Sequence, residues 1–182
     1  TSFAAAKGTW MMVDGEWYCY DKNGDVYENT FCSSNGKEYY VGDDGMLVRS
    51  SWVEYDGDYY FVNSSGAKIT NDWRLTTPYE DEDADEEWFY FQSTGKRADN
   101  KKILYKGSTF FFDADGQMLT GWVGGEWDAA DNSYDYKEIG GEDSDVKLSD
   151  YRGKDVVYYC MYDEDKADGH IQKNKWRKTW AP

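Results

Sequence analysis

The sequence has little of what most enzymes, membrane spans and nucleic-acid binders depend on. It carries one histidine, His170, in 182 residues, and no Ser or Cys sits in a recognisable nucleophile word, so nucleophile–base chemistry has no candidate. No apolar run is long enough to cross a bilayer, which argues against membrane insertion. Basic residues are few: 20 Lys and Arg face 36 Asp and Glu, a net charge of −16. That balance repels phosphate backbones and excludes nucleic acid or an anionic membrane as a direct partner, while favouring a cationic ligand or simply keeping an aromatic surface soluble. The three cysteines, Cys19, Cys32 and Cys160, have neither a metal-ligand spacing nor an even count. A Cys19–Cys32 disulfide and three half-buried thiols both remain open. There is no initiating Met and no signal-peptide pattern, as expected of a processed or truncated product, and this leaves room for an upstream domain in the full-length protein.

Leu, Ile and Val are also scarce, and rings take their place. Aromatic residues make up 19% of the chain, with nine Trp and seventeen Tyr. A core built from rings buries large areas and tolerates polar edges, so many aromatic faces stay half exposed. Such faces suit a carbohydrate or a cation.

The rings recur at a fixed interval. An aromatic is followed five residues later by Gly, nine further by a second Gly, and seven further by the next aromatic. The words are Trp10, Gly15, Gly24, Phe31; then Phe31, Gly36, Gly45, Trp52; then Trp52, Gly57, Gly66, Trp73. A fourth unit begins at Trp73 and is swollen by Tyr79 to Glu87 before Trp88, Phe89, Tyr90 and Gly95. The fifth runs from Lys102 through Gly107 and Gly116 to Trp122. The sixth resumes with Tyr158, Tyr159, Gly169 and Trp176 after a long polar stretch. Residues 1–127 therefore read as tandem repeats with units starting near 10, 31, 52, 73 and 102. Residues 128–182 read as an irregular sixth repeat with a long insertion and a C-terminal cap.

Asx-Gly steps punctuate the pattern: Asp14-Gly15, Asn35-Gly36, Asp56-Gly57, Asn23-Gly24, Asp44-Gly45 and Asp115-Gly116. Asx-Gly between short aromatic runs signals a two-residue hairpin turn with positive φ at both central positions, so each repeat is expected to contribute a hairpin and a second tight turn. Around Asp14-Gly15 this pairs Val13 with Glu16, Met12 with Trp17, Met11 with Tyr18 and Trp10 with Cys19. Both faces of that hairpin are apolar, so neighbouring hairpins must stack to bury one or both. The expected fold class is all-β, a β-hairpin solenoid built from tandem repeats of about 21 residues. Such a narrow array offers no deep pocket to shield a reaction from water, which argues against an enzyme.

The acidic run Glu80 to Glu87 lacks the Gly and the ligand order of a calcium loop and reads as a solvated insertion. Asp113, Asp115 and Gly116 are accounted for by a repeat turn. No metal or cofactor is expected. In the insertion of the sixth unit, "SYDYKEI" and "DVKLSDY" are expected to form an elongated hairpin around Gly140-Gly141.

The words "GTWMMVDGEWYCYDKNGDV", "GDYYFVNSSGAKITNDW" and "GSTFFFDADGQMLTGW" resemble the cell-wall-binding, choline-binding-like repeat family, which is related to glucan-binding repeats and clostridial toxin repetitive oligopeptides. The resemblance covers nearly the whole chain except about 128–155. It implies a secreted or cell-surface module of a Gram-positive bacterium whose partner is a cell-wall polymer, recognised through choline or glycan in aromatic sites between repeats. A structural spacer or protein-interaction module is the alternative. Carried over by position, the walls of three sites would be Trp10, Trp17 and Tyr40; Trp52, Tyr59 and Tyr90; and Trp73, Trp88 and Phe111. Cation–π attraction is the physical basis of such a cage. Two units depart from the pattern. Phe31 is matched with Glu38, whose carboxylate can balance an ammonium, and Lys102 with Thr109, where a cation would be repelled.

Overall fold

The computed structural model describes residues 3–141, 143–161 and 170–171, the last two by their backbone alone. Its unit is a hairpin of two five-residue strands. These are β1 (Thr9–Val13) with β2 (Glu16–Tyr20), β3 (Thr30–Ser34) with β4 (Lys37–Val41), β5 (Ser51–Tyr55) with β6 (Asp58–Val62), β7 (Asp72–Thr76) with β8 (Glu87–Phe91), and β9 (Lys101–Tyr105) with β10 (Ser108–Phe112). The first strands begin at 9, 30, 51 and 72, a spacing of 21 that matches the sequence period. The fifth is displaced by the acidic insertion, which lies between β7 and β8. Among the described residues there is no α-helix. The fold class is the expected one: all-β, a β-hairpin solenoid of tandem repeats.

The first turn of each unit follows from local chemistry. Asp14 and Gly15, Asn35 and Gly36, and Asp56 and Gly57 all have positive φ, between 50° and 84°. Only Gly, Asn and Asp enter that region at low cost. The resulting two-residue loop fixes the register, with Val13 opposite Glu16, Met12 opposite Trp17 and Trp10 opposite Cys19, as expected. Lys106-Gly107 adopts the same conformation in the fifth unit.

The second turn is not of that kind. In Asn23-Gly24, Asp44-Gly45 and Asp115-Gly116 only the glycine has positive φ, so the two-residue reading is corrected there. The chain instead reverses over five residues: the Asp21 N–H donates to Asp25 O (2.8 Å) and the Gly24 N–H to Asp21 O (3.1 Å). The head residue organises this loop, because Asp21 Oδ1 accepts from the N–H groups of Asn23 and Asp25. Asn63 and Asp113 repeat the device. A carboxylate or amide oxygen that collects two N–H groups makes a second positive-φ residue unnecessary. Each loop then returns the chain for one more bridge to the second strand: Tyr20 to Val26, Val41 to Leu47, Val62 to Lys68, Phe91 to Arg97 and Phe112 to Met118.

The long insertion does contain an elongated hairpin, but with different partners from those expected. "SYDYKEI" lies in β12 (Ser133–Gly140), which pairs with β11 (Gly121–Asp128) rather than with "DVKLSDY". The turn falls at 129–132, where Asp128 Oδ1 accepts from the N–H groups of Ala130 and Asp131 and Asn132 takes φ 53°. β11 is paired on its other edge by β13 (Val156–Met161), and β14 (His170–Ile171) completes a four-stranded sheet. Gly169 and Trp176 of the sixth word lie outside the described residues.

The chain groups into two compact units, one of residues up to Asp72 with Phe91–Arg97, the other of Trp73–Tyr90 with residues from Ala98 onward. Each has a core rich in rings. In the first, Phe31, Tyr60, Val53 and Val62 are buried against Phe3, Tyr40 and Tyr55, and a second cluster holds Cys19, Cys32 and Val41. In the second, Trp73, Tyr90, Phe110 and Phe112 form one cluster and Phe111, Leu119, Val123 and Tyr136 another. All three cysteines are free and buried. The Cys19 and Cys32 side chains hydrogen-bond, and burial pushes the Cys32 thiol up to about 12. Met11, Met12 and Val13 stay exposed, so stacking covers neither face of β1 fully.

Candidate functional site

The first two hairpins and the loops that follow the second and third form a groove of about 380 Å³ lined by Trp10, Trp17, Ser34, Tyr39, Leu47, Arg49 and Ser65. Three local facts build it. The type of turn at Asp14-Gly15 sets the register that puts Trp10 on β1 and Trp17 on β2 on one side of the hairpin. The Trp10 indole Nε1–H donates to Ser33 O (3.1 Å), holding the ring against the second hairpin. The Leu47 N–H donates to Trp17 O (3.0 Å), which places the Leu47 side chain at the groove. Trp10 and Tyr39 meet edge to face with centroids 5.9 Å apart. Both Trp10 and Trp17 are only partly buried. Arg49 at the rim faces Glu16 across 3.8 Å, so its charge is partly balanced there.

The expected third wall was Tyr40, and the structure puts Tyr39 in that place. Tyr40 is the cross-strand partner of Phe31 and packs on it at 5.1 Å within its own hairpin. A one-residue step along a strand moves the side chain to the opposite face, and this accounts for the difference. The same step applies in the second unit: Trp73 meets Phe110 at 4.9 Å, whereas Phe111 belongs to the neighbouring cluster with Leu119 and Tyr136. Tyr90 packs on Trp73 of its own hairpin at 5.0 Å, so it is a core ring of the second unit.

The other candidate walls differ sharply in what surrounds them. Trp73 and Trp88 are 6.4 Å apart, but Trp73 is 8% exposed and is enclosed by Tyr90, Tyr105, Phe110 and Phe112. Trp52 and Tyr59 share a cation. The Arg97 guanidinium carbon lies 4.4 Å from the Tyr59 centroid and 5.8 Å from that of Trp52. At the Phe31 unit the Lys68 ammonium lies 5.0, 5.4 and 5.6 Å from the rings of Phe3, Phe31 and Tyr60. Its ion-pair partner is Glu38, the carboxylate the sequence singled out as able to balance an ammonium. Burial pushes the Tyr60 hydroxyl up to about 12. Lys102, the departure in the fifth unit, is exposed on β9.

Tyr39, Leu47, Lys68 and Arg97 were not picked out by the sequence. A signal for the last three exists: each stands two residues after the second glycine of its unit, at Gly45, Gly66 and Gly95.

No family model and no curated protein matches the sequence. Among solved structures, the chain is similar to a truncated alternansucrase from Leuconostoc mesenteroides, with a TM-score of 0.50 and 22% identity over 62% of this chain and 10% of that one. Other solved structures similar to it are the choline-binding domain of a Streptococcus pneumoniae protein (TM-score 0.37, 23% identity, 53% of this chain and 99% of that one) and choline-binding protein F of the same organism (0.46, 16%, 92% and 54%). The chain thus spans about half of one of these relatives and about a tenth of another. At these identities the likeness is one of fold.

Proposed function

We propose that this chain is a non-catalytic binding module that takes an organic cation, choline borne on a cell-wall polymer, in the aromatic groove of its first two hairpins. The observation that carries this reading is the composition of that groove. Trp10, Trp17 and Tyr39 offer ring faces and edges, Leu47 adds an apolar side, and among the side chains that line it the only cation, Arg49, is at the rim with Glu16. A quaternary ammonium has no N–H to satisfy and gains from desolvation among rings, which supply about 0.5–2 kcal/mol of cation–π attraction. The net charge of −16 adds a favourable long-range field. The groove is open to solvent and its walls are mainly rings and Leu47, which suits recognition and gives a reaction no enclosure. A single weak site gains strength when epitopes repeat along a polymer and modules are joined, as on a secreted or cell-surface protein. A glycan stacked on the same rings is the second reading, favoured by the hydroxyl of Ser34 at the groove.

Tryptophan fluorescence titrated with choline chloride, with sodium chloride as the ionic control, tests the reading. A saturable change is expected with a dissociation constant on the order of millimolar, and Trp17→Ala is expected to lose it while keeping the far-ultraviolet spectrum. A folded protein that gives no choline response, yet responds to a soluble glucan, would assign the groove to glycan instead.

A further inference from the structure

The residue that follows each five-residue turn has two roles at once. Its N–H donates to the carbonyl of the preceding hairpin's second-strand wall: Leu47 to Trp17 (3.0 Å), Lys68 to Glu38 (2.8 Å) and Arg97 to Tyr59 (2.8 Å). That shared bond delivers three different side chains to three equivalent places between hairpins. Leu47 leaves a groove beside Trp10 and Trp17. Lys68 and Arg97 do not. The Lys68 side chain is 9% exposed, with its ammonium among three rings and against Glu38. Arg97 is 6% exposed, with its guanidinium over Tyr59 and beside Trp52. These separations are within the roughly 6 Å at which a cation is held by a ring face.

We propose that Lys68 and Arg97 are built-in ligands: they occupy the second and third aromatic sites of the array, close them to external cations, and so make the residue at this one position the determinant of which sites bind. Leu47 is the open state of the position. The ligand class for an emptied site is an organic cation of alkylammonium or guanidinium type. The statement that the first site is the open one rests on the proposed function, while the occupancy of the third site by Arg97 does not.

The physical reasoning is one of competition at fixed geometry. A tethered cation competes as an intramolecular ligand, always present beside the rings, against a weak free one. An external cation would have to displace a buried charge and leave it without its rings, which is unfavourable. Shortening the side chain to an apolar one removes the tethered competitor and vacates the place its guanidinium holds beside Trp52 and Tyr59.

The test is isothermal titration of the full chain with choline chloride, comparing the unsubstituted protein, Trp17→Ala, Arg97→Met and the double variant. Arg97→Met is expected to add one binding equivalent, and that equivalent is expected to persist in the double variant, where the first site has been removed. A folded Arg97→Met protein that takes up no more choline than the unsubstituted one overturns the proposal. If the unsubstituted protein binds nothing and Arg97→Met binds one equivalent, the built-in ligand stands and the proposed function falls. Should Arg97→Met fail to fold, Arg97→Ala is melted with and without methylguanidinium. A rise in melting temperature of several degrees beyond that of the unsubstituted protein supports the proposal, and an equal response in both overturns it.

Discussion

Trp10 and Trp73 open hairpins of the same pattern, one in each compact unit, and they end in opposite states. Trp10 is half buried, packed against the Cys19–Cys32–Val41 cluster, and shares a groove with Tyr39 and Leu47. Trp73 is 8% exposed, with ring centroids of Tyr90, Phe110, Phe112 and Tyr105 between 4.9 and 5.7 Å away. The same residue at the same place in the repeat is a wall in one unit and core in the other. What differs is the number of rings that converge on it, because the fifth hairpin supplies "TFFF" where the second supplies "EYYV".

The comparison is broken most directly by truncating both rings. Trp73→Ala is expected to cost about 3–5 kcal/mol, as loss of a large buried ring does, read from the urea midpoint of unfolding. Trp10→Ala is expected to cost about half as much or less, because much of its ring is already in contact with water. Equal costs would mean that both rings are core. The next effect is on binding. Leu47→Lys puts into the first site the kind of side chain that fills the second, and it is expected to weaken choline binding about tenfold or more while the spectrum and midpoint change little; an unaltered titration would show that the groove does not depend on this position. The smallest effect concerns the second unit's desolvated edge. Burial, with repulsion from Asp113 and Asp85, raises the Glu87 carboxyl above its ordinary 4.5. The folded state then holds this proton more tightly than the unfolded state, so ionisation costs stability as pH rises beyond 4.5. Glu87→Gln is expected to raise the melting temperature slightly at pH 7 and to leave it unchanged below the ordinary value, which thermal melts at the two pH values will read.

Much of the fold was legible because it is local. Asp14-Gly15 announces its own turn, the turn sets the register of Trp10 with Cys19, and the period then places the next three hairpins. The second turn was not legible from the dipeptide. Asn23-Gly24 looks like Asp14-Gly15, but the residue that decides its conformation is Asp21, whose side chain collects two N–H groups from further along the loop. The pairing of β12 with β11 rather than with "DVKLSDY" was hidden for a related reason. Gly140-Gly141 is a turn-like word, yet β12 pairs along β11 from Ser133 to Gly140, with one irregularity between Trp122 and Val123.

The site was legible in part. Trp10 and Trp17 were found by spacing and do line one groove, whereas Tyr39 was displaced by one residue to Tyr40, an error that alternation turns into the wrong face. By itself the sequence determined the period, the first turns, the hairpin register and the identity of the rings, since these follow from short-range backbone preferences and side-chain alternation. Only the tertiary structure decided which rings hold a cation of the chain itself. Lys68 stands far along the chain from Glu38 and Phe31, and Arg97 from Tyr59 and Trp52. Whether a cation so distant in sequence enters a site depends on how successive hairpins bring their loops over their neighbours' strands, and no local preference encodes that.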